Sequence, residues 1–396
     1  MKERLEATQD RPTNAEPSPH PTIREFVLSG SYHEMGRQYG EHCLRNIRLF
    51  TKVVQVMTAL SERPGADFFT PRYRYLPRAL VGFFKHRRRY RAEAHRYVDN
   101  IRTYYPEALD MLEGMAEGAR VDLDDLLFLN AAAEASLACT AVAASGTETA
   151  TGEPILAMNA DETRGVERFE VALDFRPDSG YRYQVCAMEG VLYYNFGMNE
   201  KGLVLMSTFL FVRNESTPLS RMPTLLYFSI LNRCATVDEA RDLLESLPRC
   251  DVPTVVYVGD TEKFLRMETS PIGRDIEVVE DGLRWNANFP MTQTLASYSK
   301  IDVMDEAATL FARNRMGRLE HFSSTYRGAF DAQAMHTILS DHGDATDNTR
   351  MRSMCMHPKH TAGKQTCTSI IALPRQKTFR LYGPNPCLNK TKDYAF

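Results

Sequence analysis

The first third of the chain has apolar residues at helical spacing. Residues 34–58 carry an apolar stripe with polar residues opposite, and residues 91–118 repeat this pattern, beginning with Tyr97 and Ile101. Apolar positions three and four residues apart lie on one face of a helix, because each turn takes 3.6 residues. Residues 31 to about 135 are therefore predicted to be mainly helical.

From Cys139 onward the pattern changes to the period of two that is typical of β-strands with one buried face. Several segments have this alternation, or a short apolar run bounded by turn residues. They are residues 170–175, 181–186, 253–260, 265–269 and 369–381. The second part of the chain is therefore predicted to form β-sheets.

Helical patterns return between the later strands. Residues 236–247 are amphipathic, with Thr236 as the predicted N-cap and Glu239 completing a capping box. Residues 301–321 and 331–340 also have helical spacing. Helices first, then strands, then helices between further strands predict an α+β fold built in layers.

Composition and charge exclude several classes of protein. With 396 residues, 43% of them hydrophobic, the chain can bury one large core or two ordinary ones. A formal net charge of −3 argues against nucleic-acid binding, and no apolar run approaches the roughly 20 residues of a membrane helix. Residues 1–22 are polar with no apolar signal core, so we expect a disordered tail and a cytoplasmic protein. Eight scattered cysteines predict reduced thiols.

Cys139 begins a short run of small and β-branched residues. Turn-rich residues 145–154 follow, and a second apolar run ends at Asp161. This order predicts a strand, a hairpin and a returning strand that places Asp161 beside Cys139. A thiol at the start of a strand, preceded by the small residue Ala138 and facing a carboxylate, suits an N-terminal nucleophile enzyme. Such an enzyme cuts its own chain before the nucleophile and uses the new α-amine as a base.

This hairpin resembles that of the peptidase C45 family, which includes isopenicillin-N acyltransferase and its bacterial relatives. The matching positions are Cys139-Thr140 and Asn159-Ala160-Asp161. Other segments that resemble the family, in the same order, are residues 30–40, 126–130, 197–203, 286–289, 368–371 and 383–387. The resemblance implies the four-layer αββα sandwich of N-terminal nucleophile hydrolases. Residues 23–138 would be a helical fragment that wraps the sandwich, and residues 139–396 the catalytic fragment.

The resemblance also implies a mechanism that starts with cleavage between Ala138 and Cys139. The mature thiol would take an acyl group from a linear amide or an acyl thioester and pass it to an amine or to water. A thiol has a pKa of about 8.5 and an α-amine one of about 8, so the amine can accept the thiol proton. Asp161 would orient the ammonium form. Asn288 would donate to the oxyanion, where one donor contributes about 3 to 4 kcal/mol.

Three positions depart from the family pattern. Ala138 stands where the family often has glycine, and Phe289 stands where it has histidine after Asn288, so the pocket is more apolar there. Residues 207–208 occupy a region where distant relatives have an asparagine, which leaves the second oxyanion donor open. Nearby aromatic residues favour an apolar acyl or aryl group. The predicted substrate-binding residues are Phe289, Tyr194 and Thr208.

Other interpretations compete with this one. His342 or His357 could act as the base for Cys139 in a papain-like hydrolase that needs no processing, although the loop and helix start of that family are missing here. A non-catalytic scaffold of the same fold would stay uncut. A zinc site from Cys355, His357 and His360 lacks ligand spacing and a second ligand pair, so no metal is expected.

Residues 85–91 are the strongest basic cluster in the chain. Such a run is usually a solvated helix face, and the functional alternative is a docking surface for the phosphates of coenzyme A. No Walker loop or dinucleotide fingerprint occurs, so no nucleotide cofactor is expected. The expected partners are an acyl amide or acyl thioester, an amine acceptor, and a self-derived heterodimer of residues 1–138 and 139–396.

Overall fold

A computed structural model describes residues 23–61, 88–132, 138–193, 196–213, 222–304, 306–343, 353–357 and 364–396. The strands are β1 (Arg24–Gly30), β2 (Ala138–Ser145), β3 (Ile155–Thr163), β4 (Glu170–Pro177), β5 (Tyr183–Met188), β6 (Phe196–Asn199), β7 (Val204–Phe209), β8 (Thr254–Gly259), β9 (Phe264–Thr269), β10 (Arg274–Val279), β11 (Gly282–Asn286), β12 (Lys364–Leu373), β13 (Thr378–Tyr382) and β14 (Thr391–Ala395). The helices are α1 (Tyr32–Ser61), α2 (Val98–Tyr104), α3 (Pro106–Ala119), α4 (Leu123–Leu127), α5 (Ile230–Arg233), α6 (Val237–Ser246), α7 (Gln293–Ala296), α8 (Glu306–Thr325) and α9 (Ala332–Leu339).

The strands form two sheets. The first has eight strands in the order β1-β4-β5-β6-β7-β8-β9-β10, and the second has six in the order β11-β2-β3-β12-β13-β14. Strand β1 runs parallel to β4, whereas the other neighbours in both sheets pair antiparallel. Strand β2, which begins with Ala138 and Cys139, is therefore an inner strand with partners on both sides.

Three apolar cores show how the layers stack. The first joins α1 and α3 to the eight-stranded sheet. The second lies between the sheets, where Ala141 and Met158 pack with Met206 and Tyr257. The third joins the six-stranded sheet to α8 and α9. The order is helix, sheet, sheet, helix, and the predicted α+β fold with four αββα layers is confirmed.

The alternation of side chains along β2 explains how this strand serves two cores. Ala141 and Ala143 enter the core between the sheets, while Val142 and Ala144 enter the core under α8 and α9. Successive side chains of a strand point to opposite faces. Cys139 shares the face of Ala141, so the predicted nucleophile lies on the side of the strand that faces the other sheet.

Helices α1 and α3 cross in direct backbone contact, and glycines permit it. A Cβ atom added at Gly36 would lie 2.1 Å from the Met111 carbonyl oxygen, and one at Gly118 would lie 2.1 Å from that of Arg37. No side chain fits at such distances. The glycine-rich segment 30–40 thus serves helix packing in the N-terminal part of the chain.

One local prediction is confirmed and another is shifted. Thr236 caps α6 by accepting a hydrogen bond from the Glu239 backbone nitrogen, and the Glu239 carboxylate accepts from Ala235, one residue before the cap. The helix predicted for residues 301–321 begins later, at Glu306, because turns occupy residues 301–304.

Strand β1 was not predicted. Residues 24–30 pair with β4 through the parallel register Arg24↔Val171 to Gly30↔Pro177. The N-terminal part of the chain is therefore not purely helical, since it also supplies an edge strand to a sheet whose other strands follow Cys139.

In the part of the chain that the structure describes, no helix combines the length and apolar character needed to cross a membrane. The predicted tail, residues 1–22, lies outside the described residues, as do Tyr194 and His360.

Candidate active site

The hairpin predicted around Cys139 is present. Cys139 is the second residue of β2 and pairs with Ala160 of β3, while Ala138 pairs with Asp161. Asp161 therefore lies across the strand pair from the bond that precedes Cys139. The side chains of Cys139 and Asp161 are both fully buried. The local sequence is thus enough to place Asp161 across the strand pair from the Ala138–Cys139 bond, although side-chain alternation puts the Cys139 thiol and the Asp161 carboxylate on opposite faces of the sheet.

Asn288 lies in a tight turn directly after β11. The side chain of Asn286 shapes the turn, since its Oδ1 accepts from the Asn288 backbone nitrogen at 2.6 Å and its Nδ2 donates to the Phe289 carbonyl at 2.8 Å. Asn288 has a φ of 73°, in the left-handed region that asparagine tolerates better than most residues. Because β11 is the neighbour of β2, the turn brings Asn288 to the start of β2, next to Cys139.

The amide of Asn288 binds the backbone of Cys139. Its Oδ1 accepts from the Cys139 backbone nitrogen at 2.9 Å and from Nη2 of Arg315 at 2.8 Å, and its Nδ2 donates to the Phe209 carbonyl at 2.8 Å. Two donors converge on Oδ1, which fixes the orientation of the amide. The oxygen of Asn288, and not its nitrogen, therefore faces the atom that would become an α-amine.

Arg315, on α8, is a site residue that the sequence analysis missed. Its guanidinium is fully buried and donates to the Cys139 carbonyl at 2.7 Å, the Thr140 hydroxyl at 3.1 Å and the Ala287 carbonyl at 3.2 Å. It also lies 4.0 Å from the ring centre of Phe311. One cation thus connects strand β2, the Asn288 turn and the outer helix layer.

A sequence signal for Arg315 does exist. Phe311, Leu319 and Phe322 form a buried stripe on α8 at spacings of one or two helical turns, and Arg315 lies on the same stripe. An unpaired arginine is almost never fully buried, because removing its charge from water is costly. A charge on an apolar helix face therefore indicates a buried partner, here Asp161, whose Oδ2 lies 3.8 Å from Nη1 of Arg315.

Burial controls the electrostatics of the site. Burial raises the pKa of Asp161 to about 6, and the neighbouring Arg315 opposes this rise. Oδ1 of Asp161 accepts a hydrogen bond from the Thr366 hydroxyl at 2.6 Å, whereas Oδ2 of Asp161 has no hydrogen-bond partner among the described residues. Burial, followed by the charge of Asp161, raises the pKa of the Cys139 thiol far above its usual range. The thiol is therefore neutral at neutral pH.

Aromatic residues surround the turn that carries Asn288. Phe289 is 3% exposed and lies with its ring 5.3 Å from that of Phe211, which in turn meets Phe209 edge-on at 5.1 Å. Thr208 precedes Phe209 and is buried, and its hydroxyl has no hydrogen-bond partner among the described residues. Two of the three predicted substrate-binding residues, Phe289 and Thr208, therefore adjoin the site.

The two candidate histidine bases lie in a different cluster. Nε2 of His342 is 3.0 Å from Nε2 of His357, and the latter atom is 3.5 Å from Sγ of Cys355 and 3.3 Å from Sγ of Cys387. Both histidines thus belong to a cluster with Cys355 and Cys387, so the structure gives the papain-like alternative no Cys139–histidine pair among the described residues. The expectation that Cys355 and His357 have no second ligand pair is wrong, because His342 and Cys387 provide one.

The basic run 85–91 is described only from residue 88 onward. Arg88 and Arg89 are exposed, as expected for a solvated helix face. Arg91 binds the carboxylate of Asp125 at 2.8 and 2.9 Å and also pairs with Asp122. The guanidinium of Arg91 thus binds two carboxylates of the protein itself, which argues against a role in binding a phosphate group.

Comparison with solved structures gives distant similarities. One is the Caenorhabditis elegans ortholog of N-acylethanolamine-hydrolyzing acid amidase, at 14% identity over 60% of this chain and 93% of that one, with a TM-score of 0.41. Another is penicillin V acylase from Agrobacterium tumefaciens, at 16% identity over 62% and 83% of the two chains, with a TM-score of 0.39. A third is a mutant of conjugated bile acid hydrolase from Clostridium perfringens, at 12% identity over 65% and 97%, with a TM-score of 0.36.

No curated protein sequence matches this chain. A family model does match it, over residues 154–386, and its description is acyl-coenzyme A:6-aminopenicillanic acid acyl-transferase. The match covers more than half of the chain and includes Asp161, Asn288 and Arg315. On this match, the protein belongs to the acyl-coenzyme A:6-aminopenicillanic acid acyl-transferase family, which confirms the resemblance noted in the sequence.

Proposed function

We propose that the protein is a self-processing cysteine enzyme that carries acyl groups on Cys139. Its family and the similar structures are acyltransferases and amide hydrolases, which supports acyl transfer or amide hydrolysis. The proposal of self-processing and of an acyl-Cys139 intermediate rests on the contact between the Cys139 backbone nitrogen and Oδ1 of Asn288. The atom that cleavage would convert into an α-amine already has an acceptor, and it follows Ala138, which pairs with Asp161.

Processing would begin with attack of the Cys139 thiol on the carbonyl carbon of Ala138. The peptide C–N bond breaks, its nitrogen takes the thiol proton, and a thioester joins Ala138 to Sγ. Water then hydrolyses the thioester, which leaves a carboxylate on Ala138 and returns the thiol to Cys139. The products are residues 1–138 and a fragment that begins with a free α-amine.

Turnover would use the same thiol with its own amine as the base. The amine takes the thiol proton, and the thiolate attacks the acyl carbon of a linear amide or acyl thioester. The resulting ammonium protonates the leaving amine or thiol, and an acyl-Cys139 intermediate remains. Attack by water or by an acceptor amine then releases the acyl group. Asn288 is proposed to donate one of its two amide hydrogens to the oxyanion.

Asp161 and Arg315 are assigned supporting roles. Above about pH 6 Asp161 is ionised, and its charge favours the ammonium form of the Cys139 amine. Burial lowers the pKa of Arg315 to about 10, so the guanidinium stays charged at neutral pH and balances Asp161. The apolar rings of Phe209, Phe211 and Phe289 favour an apolar acyl group beside the thiol.

Intact-mass measurement of the purified protein tests the proposal. The wild-type protein should give two fragments, one of which begins at Cys139, and the Cys139→Ala protein should stay in one piece. Cys234→Ala is the matched control, since it removes another buried thiol that lies outside the site and should process normally. A single uncut wild-type chain would favour the non-catalytic scaffold, and a cut Cys139→Ala chain would exclude the thiol as the nucleophile.

A further inference from the structure

Four potential metal ligands converge away from Cys139. The His–Cys cluster consists of His342, Cys355, His357 and Cys387, whose ligand atoms all lie within 4.8 Å of one another. None of the four has a role in the proposed reaction. The cluster therefore needs an explanation of its own.

The four residues come from three separate segments. His342 follows α9, Cys355 and His357 precede β12, and Cys387 lies in the short turn between β13 and β14. Backbone hydrogen bonds hold these segments together. The Cys355 nitrogen donates to the Asp341 carbonyl at 3.0 Å, and the Asn385 nitrogen donates to that of Thr366 at 2.9 Å. The fold itself thus brings the ligands together.

The spacing of the ligand atoms fits a tetrahedral zinc ion. Bonds of about 2.0 to 2.1 Å to nitrogen and about 2.3 Å to sulfur imply N···N edges of about 3.4 Å and N···S edges of about 3.6 Å. The observed N···N distance is 3.0 Å, and the observed N···S distances are 3.5 and 3.3 Å. These three of the six ligand-atom distances agree to within a few tenths of an ångström, and the other three are at most 4.8 Å. Both histidines present Nε2, so one ring atom of each serves as the ligand.

The geometry points to a structural zinc site made of the two thiolates of Cys355 and Cys387 and the two imidazoles of His342 and His357. Two sulfur and two nitrogen ligands form a set that zinc prefers over calcium or magnesium, which take oxygen. Four protein ligands complete the coordination, whereas a catalytic zinc keeps one position for water. The ion would join the end of α9, the approach to β12 and the turn before β14.

Two consecutive hydrogen bonds connect the His–Cys cluster to Asp161. Met356, between two of the ligands, donates its backbone nitrogen to the Thr366 hydroxyl at 2.9 Å, and that hydroxyl donates to Asp161 at 2.6 Å. Zinc would fix the position of Met356 and, through Thr366, the orientation of the carboxylate. The ion would thus act as a positioning element with no contact to substrate.

Metal analysis of the full-length protein, expressed with zinc chloride in the medium, tests the inference. We expect about one zinc ion per chain, and the same content in Cys139→Ala, because the cluster does not depend on processing. The double variant Cys355→Ala/Cys387→Ala should lose the zinc, whereas Cys234→Ala should keep it. Zinc in less than about a tenth of wild-type chains, or zinc retained by the double variant, would overturn the assignment.

Cobalt provides a readout that needs no variant. Protein expressed with cobalt chloride should show the visible absorption of tetrahedral Co²⁺ and a thiolate-to-cobalt charge-transfer band in the near ultraviolet. An octahedral cobalt spectrum without the charge-transfer band would overturn the ligand set. So would a disulfide between Cys355 and Cys387, detected by peptide mapping of the freshly purified, unreduced protein.

Discussion

Replacing Arg315 with methionine removes the cation at the centre of the site while keeping a long side chain under Phe311. The change deletes donors to four acceptors, which are the carbonyls of Cys139 and Ala287, the hydroxyl of Thr140 and Oδ1 of Asn288. Oδ1 of Asn288 still accepts from the Cys139 nitrogen. The main loss is therefore the positive charge and the alignment of the strand with the turn.

The size of the effect follows from burial. Removing one partner of a buried ion pair costs about 3 to 5 kcal/mol, and a buried acceptor left without a donor costs about 1 to 3 kcal/mol. These terms overlap at Arg315, so we expect a loss of about 4 kcal/mol in the free energy of unfolding. The pKa of Asp161, about 6 with Arg315 present, should rise further, by about 1 to 3 units, since an opposite charge favours the ionised carboxylate.

The assay is the rate of chain cleavage between about pH 5 and pH 8, with urea unfolding of each variant measured alongside. Asp161 is neutral below about pH 6 and charged above it. Its charge would favour protonation of the Cys139 nitrogen, which takes the thiol proton during cleavage, so wild-type cleavage should rise with pH through this value. The midpoint should move to higher pH in Arg315→Met and return most of the way in Arg315→Lys, which restores the charge. Arg313→Met, on the exposed side of the same helix, is the control. A wild-type midpoint in a folded Arg315→Met protein would refute the electrostatic role.

Three further outcomes are expected. Asn288→Ala should lower kcat of the processed enzyme about a hundred- to a thousandfold with little change in KM, because an oxyanion donor acts in the transition state. A rise in KM alone would instead show that Asn288 lines the substrate pocket. Gly118→Ala should lower the unfolding midpoint in urea, since its Cβ would meet a backbone oxygen at 2.1 Å, whereas Gly317→Ala meets nothing within 4 Å and should be neutral or stabilising. Fragments 1–138 and 139–396 should elute together in size-exclusion chromatography, because β1 pairs with β4 and one apolar core is shared by the two fragments. Separate elution of folded fragments would contradict the shared core.

What the sequence predicts well is local. The hairpin from Cys139 to Asp161 spans few residues, and its alternation and turn residues are read without knowledge of the rest of the chain. The cap of α6 is also local, since Thr236 and Glu239 are three residues apart. Asn288 was found through the family resemblance and not through a periodic pattern.

What the sequence does not predict depends on distant contacts. Arg315 meets Cys139 across 176 positions, and only its place on an apolar helix face hints at a buried partner. Cys387 is 30 positions from His357, so no ligand spacing in the sequence connects them. Strand β1 pairs with a strand nearly 150 residues later. Neither the alternation of apolar residues nor β-propensity identifies the partner of an edge strand.

The most direct test of the central claim is mass spectrometry of the enzyme quenched in acid during turnover of an N-acyl amide or acyl thioester. The account predicts a fragment that begins at Cys139 and carries the acyl group, with peptide mapping placing the group on the Cys139 sulfur. An uncut chain that turns over substrate, or an acyl group on another residue, would contradict it.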